Sequence, residues 1–351
     1  MAGINIAISQ HVLEPYLDCS VQYAILNTIF NKAFVPMDLP EDSKLEPSYI
    51  QYYRNQCTAA FTRHKNSLTL IITTHEDILA IIEQLKDLRL TREQIKDHLR
   101  SRIAIQPEYR EKLICEAIDL GVRLWLMIDV GEIIQTLVPG QRPIKWEQGY
   151  LQPLLHATFT PSIEIHERVK LDRIFTIYNL ERIAGLHIFW TSNLADHLRL
   201  ISDNTKVAIF HHASFLEHHR TNNMFPPGFV EETLRTLALL LPSHNKISRK
   251  WFQIQQRKFI LDSSAADHGD LSTEERQIDN FVFWHDRLVI LKQVFDEAEP
   301  STIRQWWCDR RRRVQWYTFW VAATVLALTI FFGVIQSIEG GLQAYKAFNP
   351  T

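Results

Sequence analysis

Trp316-Tyr-Thr-Phe-Trp-Val-Ala-Ala-Thr-Val-Leu-Ala-Leu-Thr-Ile-Phe-Phe-Gly-Val-Ile-Gln-Ser-Ile338 contains no charged residue. As a helix rising ~1.5 Å per residue it reaches roughly 35 Å, enough to cross a hydrocarbon layer of ~30 Å with some tilt. The stretch predicts a membrane span. A helix buried in a soluble core is the competing reading, because such helices are also apolar all round. Trp316, Tyr317 and Trp320 cluster at one end, where amphipathic rings favour the headgroup layer, and Tyr345 and Phe348 stand beyond the other. Arg310, Arg311, Arg312 and Arg313 precede the span, while only Glu339 and Lys346 are charged after it. The positive-inside bias then puts the body of the chain in the cytoplasm. A short tail after Ile338 gives the expectation of a tail-anchored protein inserted after translation. The long, Leu-, Ile- and Phe-rich span and its weakly basic tail favour the endoplasmic reticulum over the mitochondrial outer membrane.

Around the span, Cys308 sits beside Trp306, Trp307 and the arginines, a place accessible to S-palmitoylation. The arginine run also suits anionic lipid, although its role in topology accounts for it. Gly333, Ser337 and Gly341 recur every four residues, a small-x-x-x-small spacing that lets two helices approach closely. That spacing raises a homodimer through the span as one expectation and a monomeric, lipid-facing helix as the other.

The rest of the chain has the composition of a folded body. Of 351 residues, 46% are hydrophobic and 22% charged, and 38 basic against 40 acidic residues leave a net charge of −2. No overall basic field favours nucleic acid. Glycine is scarce at 11 residues, which argues against a glycine-loop nucleotide enzyme and toward helices. Cys19, Cys57, Cys115 and Cys308 form no C-x-x-C pair, so neither a zinc ribbon nor a disulfide framework is indicated. The N-terminus lacks the basic and apolar regions of a signal peptide, and Ala2 does not fit N-myristoylation.

Patterning gives a mainly α body with a small antiparallel β element, an α+β fold with a single C-terminal transmembrane helix. Thr73 or Thr74 caps a helix with Ile78, Ile81, Ile82 and Leu85 on one face, and Thr91-Arg-Glu-Gln94 is a capping box for the next. Glu93 and Asp97 among the charges of that second helix argue against a DNA-reading helix-turn-helix. Pro107 opens a helix running through Leu113, Ile114, Ala117 and Ile118 to Val122. Val138-Pro-Gly-Gln-Arg-Pro143 is the clearest break and divides the chain into a helical module (1–140), an α+β module (141–300) and the anchor (301–351). Trp146 to Phe159 then predicts a helix. Gly185 to Thr191 predicts a strand, and Leu198–Ile201 with Lys206–Phe210 predicts a hairpin around Ser-Asp-Asn-Thr205. Phe229 to Leu241 is a one-sided helix, Ser263 to Asp270 a flexible surface loop, and Ser272 or Thr273 the cap of a long helix through Phe281, Trp284, Leu288, Leu291 and Phe295.

For chemistry, the tempting stretch is Phe210-His-His-Ala-Ser-Phe-Leu-Glu-His-His219. Read as a helix, it sets His211 and His218 two turns apart, roughly 10 Å, too far to share a zinc ion with ~2 Å bonds. A metal would need His187 or His197, and polar, hydrogen-bonded histidines are the alternative reading. Asp196 and His197 could form an acid–base pair, but no nucleophile stands beside them in sequence, and capping by Asp196 is the plainer role. No H-E-x-x-H, nucleophile elbow, phosphate loop or G-x-G-x-x-G occurs. The residues call for no cofactor.

Leu180 to Leu198, Ile209 to Leu216, Phe283 to Lys292 and Gln315-Trp-Tyr-Thr-Phe-Trp-Val-Ala322 resemble a large family of uncharacterised proteins of filamentous fungi over positions 166–348. The resemblance implies the single hydrophobic tail and no particular activity. Some members lie beside biosynthetic gene clusters. Two readings follow: a membrane-held interaction or scaffold body, or an accessory, enzymatic component of a fungal secondary-metabolite pathway. A convergent pocket holding Asp196, His197 and His211 would favour the second, a solid core there the first.

Overall fold

Pro107 opens α5 (Pro107–Leu126), the helix around which the first half assembles. In the computed structural model, which describes residues 10–14, 17, 19–30, 46–65, 67–101, 107–133, 143–161, 163–165, 169–298 and 313–348, α5 is packed on several sides. Helices α2 (Glu46–Arg63), α3 (His75–Lys86) and α4 (Arg92–Arg100) lie against it, and α1 (Cys19–Phe30) lies against α3. Burial on several sides explains why its apolar residues run nearly all round, from Leu113 and Ile114 to Leu120, Val122 and Leu124. Gly121 permits the approach of α3: a Cβ there would meet Ile81 Cγ2 and Leu85 Cδ1 at 3.0 Å.

Local signals start the helices as read. The Asp77 carboxylate accepts the N–H groups of Thr73 and Thr74 at 2.8 and 2.9 Å, closing the first turn of α3. Thr91 and Gln94 bond each other reciprocally at 2.9 and 3.4 Å to start α4. At the other end of α5, the Tyr49 hydroxyl donates to the Leu124 carbonyl at 2.6 Å, and the Tyr52 hydroxyl donates at 2.7 Å to the Arg123 carbonyl, which also accepts the Met127 N–H at 2.9 Å. Charge inside this half is matched within it. Arg123, 1% exposed, reaches Glu116 at 2.6 Å and the Val130 carbonyl at 2.8 Å, while Arg92 meets Asp119 at 2.6 Å.

Beyond α5 the chain departs from its local pattern. The predicted helix from Trp146 is only α6 (Leu151–Thr158). Ahead of it, Ile144 bridges Val130, and the Trp146 indole donates to the Gly149 carbonyl at 3.2 Å across a turn at Gly149, φ +76°. Most of the proposed boundary at 138–143 lies outside the described residues. Buried side chains from both sides of it, Tyr49 and Ile114 on one and Phe210 and Phe229 on the other, belong to one contiguous hydrophobic core.

The sheet is small and mixed, in the order β1-β3-β2. Helix α7 (Ile177–Arg182) leads into β1 (His187–Thr191), and β2 (Leu200–Ile201) and β3 (Lys206–Phe210) form the expected antiparallel hairpin. Its turn holds Ser202, Asp203 and Asn204 at positive φ. β1 joins β3 in parallel, from His187 opposite Lys206 to Thr191 opposite Phe210. The chain continues through α8 (Ala213–His218), α9 (Phe229–Leu240), α10 (Lys246–Phe259) and α11 (His285–Glu297) to α12 (Arg313–Phe348). The sequence reading had no counterpart for α10.

Two segments contradict their composition. Ser263–Ala266 is a 3₁₀ turn with Ser264, Ala265 and Ala266 buried, not a surface loop, because the Asp262 carboxylate accepts the N–H of Ser264 at 2.9 Å and that of Ser214 at 2.7 Å. Ser272 and Glu275 do make the reciprocal bonds of a capping box, yet no long helix follows. The helix starts at His285 instead, where the buried Glu232 carboxylate takes the preceding N–H groups.

Within α12, residues 317–345 are long and apolar enough to cross a membrane, and the most apolar window is 0% buried. The core-helix reading therefore fails. Tyr317 is exposed and Trp320 half-buried; Arg313 and Trp316 belong to α12, while Cys308 and Arg310 to Arg312 lie outside the described residues. Gly333 and Gly341 are uncovered, since a Cβ at either would meet nothing within 4 Å.

Candidate functional site

At the C-terminal ends of the parallel strands a cleft of about 740 Å³ opens between α2 and the sheet. Crevices at the carboxyl ends of parallel strands are where α/β sheets commonly bind ligands, because the loops there are free to carry polar groups. One wall is the polar face of α2, including Ser48, Gln51, Tyr52 and Asn55. The other is built by the residues that leave β1 and β3: Thr191, Ser192 and Asn193, and His211 and His212. Asp129 from the α5 exit, Asp196, Trp190 and the end of α10, Phe259 and Ile260, complete it.

Asn193 holds the two exits together. Its side-chain oxygen accepts the N–H of Asp129 at 3.1 Å and of Ala195 at 3.2 Å, and its amide donates to Asp196 Oδ2 at 2.9 Å. The Leu194 N–H donates to the Met127 carbonyl at 2.8 Å, fastening the same loop. Asp196 also pairs with Arg199 at 2.9 Å. Burial raises the Asp196 carboxyl above its usual range, with Arg199 pulling the other way.

Ser192 Oγ lies 3.0 Å from His212 Nε2. His212 is 1% exposed, and burial, reinforced by the adjacent His211, holds its imidazole well below the ordinary value and therefore neutral. The two imidazoles touch with centroids 3.9 Å apart and planes tilted by 31°. His212 Nδ1, Ser48 Oγ and Trp190 Nε1 are buried and have no hydrogen-bond partner among the described residues. All three atoms are closed to solvent, so the surface that a bound molecule would meet is formed by other groups, among them the exposed side chains of Gln51, Asn55 and Thr58.

The histidines singled out as metal candidates do not converge. His187 begins β1 and His211 follows β3, so they stand at opposite ends of the parallel pair, roughly 16 Å apart at ~3.3 Å per residue. His197 is fully buried, its Nδ1 accepting the Phe210 N–H at 3.2 Å and its Nε2 meeting Thr236 Oγ1 at 2.6 Å. The Thr236 hydroxyl donates to the Thr233 carbonyl, so Nε2 carries the proton and neither nitrogen is open to a metal. His211 Nδ1 accepts the Asp262 N–H at 3.3 Å, and His218 packs against Phe30 with centroids 5.0 Å apart. No three His, Cys, Asp or Glu side chains among the described residues are placed to hold a metal ion.

The cleft thus gathers Asp196 and His211 but not His197, which lies in the core against Trp284. Asp196 and His197 use different partners and form no acid–base pair. The sequence reading missed Ser192, Asn193, Asp129 and the α2 wall. The signal that could have found Ser192 and His212 is positional: each directly follows a strand run. The chain matches no protein-family model, no curated protein and no solved structure.

Proposed function

We propose that this is a single-pass membrane protein whose body lies on the cytoplasmic face and binds a small, neutral, hydrogen-bonding molecule in the cleft between α2 and the ends of β1 and β3. The observation that supports the anchor is the uncovered apolar length of 317–345, and the run Arg310 to Arg313 supports the orientation. The composition of the span favours the endoplasmic reticulum. The ligand class follows from the lining. Asp129 and Asp196 stand in the wall, and Arg63 is engaged with Glu116 at 3.0 Å, so an anion is poorly matched. Tyr52, Trp190 and Phe259 offer apolar ring surface, while the exposed side chains of Gln51, Asn55 and Thr58 offer hydrogen bonds.

Alkaline-carbonate extraction and protease protection of the N-terminally tagged chain, beside a version ending at Arg313, test the anchor. Only the longer form should resist extraction, with its tag open to protease; extraction of both would end the membrane reading. For the cleft, Ala59→Trp on the exposed lining of α2 should abolish thermal stabilisation by any ligand found in a metabolite screen while leaving unliganded stability unchanged.

The Ser192–His212 contact favours a second reading, acyl transfer. Ser192 Oγ would attack an ester carbonyl as His212 Nε2 takes its proton, and the departing alcohol would take that proton back. Among the described residues no carboxylate meets His212 Nδ1 to hold its tautomer, as serine hydrolase sites normally provide, so binding stands first. Failure of a fluorophosphonate probe to label Ser192 would remove this second reading.

A further inference from the structure

Helix α10 carries five basic residues, Lys246, Arg249, Lys250, Arg257 and Lys258, and no acidic one, in a chain whose net charge is −2. Its inner side is short and firmly seated. Ser248, Trp251 and Phe252 are buried, the Trp251 indole donates to Glu181 at 2.8 Å, and the Asn245 side chain caps the first turn through the N–H groups of Ile247 and Ser248. The outer side is therefore presented in a fixed orientation.

That outer side is amphipathic in an unusual sense. Ile247 and Ile254 are 62% and 66% exposed, and a seven-residue separation puts them on one stripe of the helix with Lys250 between them. Lys246, Arg257 and Lys258 flank the stripe on the exposed surface. None of Lys246, Lys250, Arg257 and Lys258 is in an ion pair among the described residues, whereas Arg249 has Asp267 at 3.8 Å. Two large aliphatic side chains held in water between cations that have no carboxylate partner among the described residues, Lys258 lying 4.9 Å over the Phe259 ring, match one environment well. The headgroup layer of an anionic bilayer takes the isoleucines at its acyl boundary and pairs the cations with phosphate and carboxylate groups.

We propose that α10 is a second membrane contact, which lays Ile247 and Ile254 into the headgroup layer of an anionic leaflet beside the anchor. The proposal rests on α12 holding the body at a bilayer. Residues 299–312 join α11 to α12, and that many residues span at most roughly 50 Å, so the leaflet is always within reach of the body. The contact would also bring Phe259 and Ile260, which rim the cleft, next to the headgroups.

The full chain, reconstituted into phosphatidylcholine vesicles with or without roughly one-third phosphatidylserine, carries the photocrosslinker p-benzoylphenylalanine at Ile254 or, as a control, at exposed Tyr109. Flotation with the vesicles first confirms the anchor; a chain that stays behind overturns the anchor reading and this proposal with it. For floated protein, lipid adducts are expected at position 254 in the phosphatidylserine vesicles, at least fivefold above position 109. Lys250→Glu, Arg257→Glu and Lys258→Glu together should reduce that yield at least fivefold with the circular dichroism spectrum unchanged. Equal yields at the two positions, no adduct at 254, or adducts only to a second copy of the chain would each overturn the lipid assignment, the last in favour of a self-interface.

Discussion

Glu232 Oε1 accepts the backbone N–H of Trp284, 52 residues away, at 2.8 Å. The same carboxylate takes the N–H groups of Phe283 and Val282, each at 2.8 Å, and the Trp284 indole returns to Thr233 Oγ1 at 2.8 Å. These donors lie just ahead of α11, where a helix start gathers unpaired N–H groups and favours negative charge. Burial raises the Glu232 carboxyl while the three N–H donors oppose that rise. Glu232→Ala leaves the buried N–H of Trp284 and the part-buried ones of Phe283 and Val282 unpaired and is expected to cost about 3 kcal/mol. Glu232→Gln, which keeps one acceptor oxygen, should cost clearly less. Urea unfolding of the detergent-solubilised chain followed by tryptophan fluorescence measures both.

Acid should unfold the body from an unusually high pH. Burial pushes His197 and His211 down to about 3, and His75 and His219 to about 4. Folding therefore binds fewer protons than the unfolded chain between these values and the ordinary ~6.5, so stability is complete above that value and is lost as pH falls through the window. At pH 5, His197 and His211 each account for a loss of about 2 kcal/mol. Asp262 runs the other way. Burial raises it to about 6, so its contribution falls as pH rises from the ordinary carboxylate value to about 6. Asp119, Asp196 and Glu232 are also raised by burial and act in the same sense as Asp262, whereas the four imidazoles, joined by His212, act over a window that reaches down to about 3 and leave a net acid lability. His197→Gln, which can still donate to Thr236 and accept from Phe210, should flatten the acid limb of a stability-against-pH curve.

Gly131 is expected to tolerate no side chain. Its φ is +84°, and a Cβ would fall 2.2 Å from Asp119 Oδ2, the carboxylate that pairs with Arg92. Gly131→Ala thus adds backbone strain and displaces a buried ion pair, with an expected loss of about 3 kcal/mol or more. Gly149, also at positive φ but with nothing within 4 Å of a Cβ, is the control. Gly149→Ala should cost about 1 kcal/mol from backbone strain alone, read from the shift in thermal midpoint.

Asp262 pins the 3₁₀ turn 263–266 to α8 through Ser214, whose hydroxyl donates to Asp262 at 2.9 Å and accepts from the Ser264 hydroxyl at 3.0 Å. Asp262→Ala should release that turn, increasing amide exchange of residues 263–266 at least tenfold while leaving α3 to α5 unaffected. Equal exchange in the variant and the parent would mean that packing of Ala265 and Ala266 alone holds the turn.

Much of the fold is legible wherever its cause is local. The capping residues Thr74 and Thr91, the Pro107 start, the β2–β3 hairpin with its polar turn and the helix Phe229–Leu240 all depend on neighbours within a few residues, which the sequence displays. Elsewhere a distant partner overrides a local signal. Ser272 and Glu275 form a capping box without a helix because Glu232 offers a better start at His285. Ser263–Ala266 reads as polar loop, yet Asp262 and Ser214 bury it. The candidate cleft was least legible, since Ser192 meets His212 only because β1 pairs in parallel with β3, a register no local pattern contains.

By itself the sequence determined that the chain is mainly helical and that 316–338 is long and apolar enough to span a bilayer, because helix period, caps and uncharged length are properties of contiguous residues. Only the tertiary structure decided that this helix stays unburied, that His197 is locked in the core while His212 faces a cleft, and that α10 turns its isoleucines outward between cations. Those outcomes depend on which surfaces meet across long sequence separations. Burial and pairing energies, which decide them, belong to contacts between segments rather than to any one stretch of chain.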